Sequence, residues 1–69
     1  MGQKNRLLEW FQEGKTITRL TALTELGIIE LSSRVGELED MGYVIPRKTI
    51  KLTNRWGETI RVTQYWMEV

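Results

Sequence analysis

Two runs of helical period in residues 15–42, KTITRLTALTELGIIELSSRVGELEDMG, are separated by only Gly27, Ile28 and Ile29. So short a joint forces the two helices to cross rather than run on, and this constrains the fold more than any other feature of the chain. Thr18 is a good N-cap for the first run, since its hydroxyl can accept from an amide left unpaired in the first turn. Ala22, Leu23 and Leu26 fall on one face of the helix it starts, and Gly27 stands where a left-handed residue ends a helix without a Cβ penalty. The period restarts with Leu31, Val35 and Leu38, spaced four and three apart, and Gly42 closes the second run. Two helices joined this tightly, the second with a small polar outer face, form the pattern of a helix-turn-helix.

Upstream, a first helix is expected from about Asn5 to Glu13, with Asn5 as its cap, Leu7, Leu8 and Phe11 as its buried stripe, Trp10 at the edge of that stripe and Gly14 as its stop. Thr16 and Ile17 leave room only for a very short strand, with Ile17 pointing inward and its backbone paired to a ribbon near the carboxyl end. From Tyr43 the period changes to two: Ile50 and Leu52 alternate with Lys51 and Thr53, and Ile60 and Val62 with Arg61 and Thr63. Folding these segments so that the apolar residues share a face pairs Leu52 with Ile60 and Ile50 with Val62. That register leaves a three-residue loop of Arg55, Trp56 and Gly57, whose last position suits a left-handed glycine. On this reading the apolar face turns toward the body, and Lys51 and Arg61 lie opposite each other on the outer face. Pro46, lacking a donor, belongs at the start of its strand or on an edge.

Sixty-nine residues are read as one domain, 1–69, too small for a second core or a deep cleft. No cysteine or histidine is present, which excludes disulfide staples, the usual zinc sets and the commonest nucleophile–base pairs. With no phosphate-cradling glycine loop and no carboxylate pair in a cleft, neither a catalytic centre nor a cofactor is expected. No apolar run approaches a membrane span, and a cytoplasmic setting, which suits the absence of cysteine, is expected. The net charge of +1 hides an asymmetry. Residues 1–42 carry five basic side chains against seven acidic, a balance of −2, whereas residues 43–69 carry five against two, a balance of +3. The cationic side chains are concentrated in the ribbon, an electrostatic footprint suited to a polyanion.

The order of these elements, helix, short strand, helix, helix, strand, hairpin and strand, is that of an α+β winged helix-turn-helix: three helices followed by a two-stranded β wing. ITRLTALTELGIIELSSRVGELEDMGYVI, followed by LTNRWGETIRVTQY, resembles a family of small winged helix-turn-helix proteins common in phages and prophages. The match runs from about Leu7 to Tyr65. Its most specific parts are the spacing of Leu31, Arg34, Val35 and Leu38, the Gly42–Tyr43 step, and Asn54, Arg55, Gly57 and Glu58 at the hairpin. The resemblance implies double-stranded DNA as the partner and a bacterial host cytoplasm as the setting, without identifying an operator. Where such sequences often carry proline after the capping threonine, this chain has Arg19, a position at which proline is tolerated but not required.

Candidate contacts follow from these placements. Thr16, Thr18 and Arg19 stand at the start of the first helix of the pair, where amides favour an anion; capping alone would also explain Thr18. On the second helix Ser32 and Ser33 can reach phosphates or base edges and Glu37 can accept from a cytosine, with Gly36 permitting close approach. A merely solvated face is the alternative, and Glu37, Glu39 and Asp40 favour entry of only the first half of the helix into a groove. Arg34 either reaches a phosphate or pairs with Glu30 or Glu37, and the resemblance favours the structural role. In the ribbon, Arg47, Lys48, Lys51, Arg55 and Arg61 are the basic candidates; the alternative is that they solvate and guard an edge. Trp56, in the loop, is positioned to pack against sugar, insert beside a base or anchor a protein, the alternative being that it folds back on its own hairpin. The expected function is sequence-specific or architectural binding of double-stranded DNA by a small transcriptional regulator or a recombination directionality factor. A module docking on a host or phage protein through Trp56 and the acidic helix is the alternative, and self-association would enlarge a small DNA contact.

Overall fold

The computed structural model describes residues 2–68; Met1 and Val69, the ends of the domain expected over 1–69, lie outside the described residues. Its elements are α1 (Gln3–Gln12), β1 (Ile17–Thr18), α2 (Arg19–Leu26), α3 (Leu31–Asp40), β2 (Arg47–Thr53) and β3 (Thr59–Tyr65). The three strands form one antiparallel sheet in the order β1-β3-β2. The chain is an α+β winged helix.

Helix α1 begins two residues before Asn5, at a Gly2 cap without a side-chain hydrogen bond, so Asn5 lies inside the first turn and caps nothing. Gln3 and Lys4 are good helix formers, and extending the helix through them costs little. Leu7 and Phe11 are buried, with Leu8 and Trp10 packed at the margin. Trp10 also holds the next loop, its Nε1–H donating to the Thr16 carbonyl at 2.9 Å. Thr18 caps α2 as its hydroxyl accepts from the Thr21 amide at 3.4 Å, and Gly27 ends the helix at φ 67°. Arg6 reaches across from α1 and donates from Nε to the Leu26 carbonyl at 3.0 Å, satisfying one of the acceptors left over at that helix end. The expected apolar face of α2 is narrower than its periodicity suggests: Ala22 is buried and Leu26 partly so, but Leu23 is exposed. An eight-residue helix crossing its neighbours this closely uses only the positions nearest the crossing. Ile28 enters the core from the turn, and Ile29 beside it stays out.

Leu31, Val35 and Leu38 of α3 meet Leu7 and Phe11 of α1, Ile17 of β1, Ile45 and Tyr65 in a single core. Pro46 immediately precedes β2, an edge strand, and its carbonyl accepts from the Trp66 amide at 3.2 Å, so the missing donor costs one bond just beyond the end of the ladder. The wing register is as expected, with Ile50 opposite Val62, Lys51 opposite Arg61 and Leu52 opposite Ile60. Gly57 takes a φ of 79°, and Asn54 and Glu58 close the ladder around the three-residue loop, Asn54 N–H donating to the Glu58 carbonyl at 3.0 Å.

The facing of the wing is the reverse of the expectation. Side chains alternate along a strand, the β2–β3 register runs without a bulge from Arg47–Tyr65 to Thr53–Thr59, and Tyr65 is buried in the core beside its partner Ile17. Arg61 and Thr63 therefore share the inner face with Tyr65, and Ile50, Leu52, Ile60 and Val62 look outward. Contacts at the base agree with this phase: Arg47 lies over the Tyr65 ring on one face, and Lys48 over the Trp66 ring on the other. Leu52 and Ile60 are each 44% exposed and belong to no core.

Stability should accordingly reside in the helices and the sheet base. Leu38→Ala is expected to cost about 2–5 kcal/mol, about half of the roughly 3–10 kcal/mol a chain of this size holds. Leu52→Ala should cost about 1 kcal/mol or less. Urea unfolding of the two variants checks this, and equal losses would place the wing's apolar face in the core after all.

Candidate nucleic-acid interface

An open cleft of about 550 Å³ lies where the start of α2, the start of α3 and the inner face of the wing meet, and Arg19, Ser32, Arg61 and Thr63 are among its lining residues. The turn residues Ile29 and Glu30 complete its floor, with Leu31 beside them. Because α3 begins here, the amides of its first turn and the positive end of its dipole are presented at the cleft, a favourable place for an anion. Glu30 is the one carboxylate at this spot, and it accepts from the Ser33 hydroxyl at 3.3 Å.

The wing's inner face is polar over its whole length. Thr49 pairs with Thr63, Lys51 with Arg61 and Thr53 with Thr59, so two threonine pairs bracket a pair of cations. Sequence reasoning picks out the cations and passes over the threonines. The signal is available, because all four have the parity of Lys51 and Arg61 in the alternation. Like charges placed opposite each other weaken a strand pair modestly, and a polyanion would relieve that repulsion.

The ion pairs sort the remaining basic residues. Arg34 Nε lies 3.2 Å from a Glu37 carboxylate oxygen, a contact of charges rather than an aligned hydrogen bond. Arg47 donates to Glu39 at 2.8 Å, joining the wing's base to the end of α3. Lys15 pairs with Glu13 at 3.2 Å and lies over Trp10. Two of the α3 carboxylates that weighed against a polyanionic partner are thus each held by an arginine. Among the described residues Arg19, Lys51 and Arg61 have no acidic partner. Arg19 and Arg61 line the cleft, and Lys51 stands across the ladder from Arg61.

Other expected contacts are dispersed or already engaged. The Thr18 hydroxyl is occupied by its cap, and Thr16, exposed, gives its carbonyl to Trp10. Ser32 and Ser33 are exposed on the first turn of α3, Ser32 in the cleft and Ser33 bonded to Glu30. Lys48 is turned to the face away from Arg61. At the tip Trp56 is 75% exposed, with the Arg55 guanidinium 5.2 Å from its ring centre. Asn54 organises that tip: its Oδ1 accepts from the amides of Trp56 and Glu58, and its Nδ2 donates to the Glu58 carboxylate, all at 3.0 Å.

The family described as "Winged helix-turn-helix domain" matches residues 2–69, nearly the whole chain. This protein belongs to the winged helix-turn-helix domain family. No curated protein and no solved structure matches it. The winged helix-turn-helix is a DNA-binding fold, which implies DNA as a partner of the domain. Among the described residues no helix is long and apolar enough to cross a membrane.

Wing-tip order should depend on Asn54. Asn54→Ala removes three short hydrogen bonds from an exposed loop, each worth about 1 kcal/mol or less there. Amide exchange at Trp56, Gly57 and Glu58 is expected to accelerate about fivefold or more, the equivalent of ~1 kcal/mol, while exchange in α1 and α3 stays unchanged. Unaltered exchange at the tip would show that Gly57 alone sets the turn.

Proposed function

We propose that this winged helix-turn-helix domain binds double-stranded DNA through one continuous surface made of the start of α3, Arg19 and the polar inner face of the wing. The observation that carries the reading is the convergence of Arg19, Lys51 and Arg61, cations without an acidic partner among the described residues, on the side where α3 presents its first turn. The first half of α3 enters the major groove, with Ser32 and Ser33 against base edges or phosphate. The second half, with Glu37 and Glu39 held by Arg34 and Arg47, stays at the groove's margin. The wing then follows the adjacent backbone, its threonine hydroxyls and paired cations on phosphate, and carries Arg55 and Trp56 toward the neighbouring minor groove.

Short hydroxyl side chains on α3 offer few bidentate base contacts. The reading is therefore of binding dominated by backbone and shape, as suits a small regulator or a recombination directionality factor. The resemblance to small phage and prophage proteins supports such a role in a bacterial cytoplasm.

Fluorescence anisotropy across a salt series tests the wing's part. Each phosphate neutralised contributes close to one unit to the salt slope, so Lys51→Ala combined with Arg61→Ala should weaken binding on every sequence and flatten the slope by up to about two. Arg47→Ala should leave the slope nearly unchanged, because its charge is already spent on Glu39. An unchanged slope in the double variant would remove the wing from the interface.

A further inference from the structure

The outer face of the wing is apolar in the middle and oppositely charged at its two ends. From base to tip its cross-strand rows are Lys48–Gln64, Ile50–Val62 and Leu52–Ile60, and the closing pair Asn54–Glu58 comes next. None of the four apolar residues is buried, and Val44, farther down the same side of the chain, is exposed as well. Such a surface adds nothing to the buried core and, apart from Val62, which also borders the cleft, lies on the side of the sheet turned away from it.

We propose that this face pairs with the same face of a second copy, in antiparallel fashion, when two copies sit next to each other on DNA. The inference rests on the DNA-binding reading for its setting. A two-fold axis across the strands lays the base of one wing over the tip of the other, so the apolar rows of the two copies coincide. Lys48 of each copy then comes within reach of Glu58 of the other. A parallel arrangement would instead gather both Lys48 side chains at one end and both Glu58 side chains at the other. Charge thus selects a second copy of this chain in one orientation, the self-complementarity that a closed two-fold interface requires.

Size explains why the pairing needs DNA. A seven-residue, two-stranded face measures roughly 24 by 10 Å, well under the ~800 Å² per partner of a stable interface. Free copies stay apart at ordinary concentration, and adjacent binding supplies the high effective concentration that the small contact lacks. The inner faces take no part in the pairing, since they lie on the opposite side of each sheet, and they point away from each other toward the DNA on either side of the two-fold axis.

The test compares wild type with Leu52→Thr/Ile60→Thr, which places β-branched side chains at both positions and leaves the core intact, a point a melting curve verifies. Binding is measured on a duplex of about one helical turn, roughly 12 base pairs, and on longer duplexes holding two copies at varied spacing. Wild type is expected to bind the long duplex cooperatively, by about tenfold or more at the best spacing. The double variant should bind the short duplex within about twofold of wild type and lose the cooperativity. Lys48→Glu and Glu58→Lys should each remove it, and the two together, which keep the net charge, should restore it. Sedimentation without DNA at about millimolar concentration should show a weak dimer that the apolar variant loses. Cooperativity and dimer both unchanged in the apolar variant, or neither present in wild type, would overturn the pairing. Failure of wild type to bind the short duplex would instead strike at the DNA reading, while the sedimentation result would still decide the pairing.

Discussion

Ile17 and Tyr65 face each other across the β1–β3 ladder, both buried, and that contact sets the direction of every other side chain in the wing. A strand alternates without exception until a bulge intervenes, and the β2–β3 ladder contains none. Once Tyr65 is committed to the core, Thr63 and Arg61 must accompany it to the inner side, and their partners Thr49 and Lys51 with them. A slip of one residue would turn the threonines and cations outward and bring Ile50, Leu52, Ile60 and Val62 over the cleft. One buried pair at the sheet's base therefore determines which chemistry the protein presents beside the start of α3.

Charge is arranged around the same frame. A nearly neutral chain shows a polyanion a cationic surface only if its carboxylates are kept from it. Here Glu37 and Glu39 are engaged by Arg34 and Arg47 at the margin of α3, whereas Arg19 and Arg61 are left to the cleft. Exposed pairs of this kind contribute little stability, about 0–1 kcal/mol each. Their effect is on the local field, and the Arg47–Glu39 pair also ties the wing's base to the far end of α3.

Much of this is legible in the sequence where the cause is local. The Thr18 cap, the left-handed Gly27 and Gly57, the α3 stripe and the wing register come from spacing and turn chemistry within a few residues. The start of α1 is not, since Gly2 and Asn5 are both acceptable caps and differ by only tenths of a kcal/mol. The exposure of Leu23 depends on how closely short helices cross. The wing's facing is misjudged from its apolar residues because Tyr65 and Val62, three residues apart, cannot both point to one side of a straight strand, and only the tertiary structure shows that Tyr65 is the one buried. For the binding surface, the cations can be picked out by composition, but their division into paired and unpaired needs tertiary structure, because Arg47 finds Glu39 only when the wing's base meets α3.

The orientation of the wing on DNA is the claim on which the rest turns, and methyl groups report it directly. Threonine methyls mark the inner face at residues 49, 53, 59 and 63, and isoleucine, leucine and valine methyls mark the outer face at 50, 52, 60 and 62. In a methyl-labelled complex with duplex DNA, intermolecular nuclear Overhauser contacts to sugar protons are expected from the threonine set and not from the aliphatic set. Contacts from Ile50, Leu52, Ile60 and Val62 to DNA, with the threonines silent, would contradict the account.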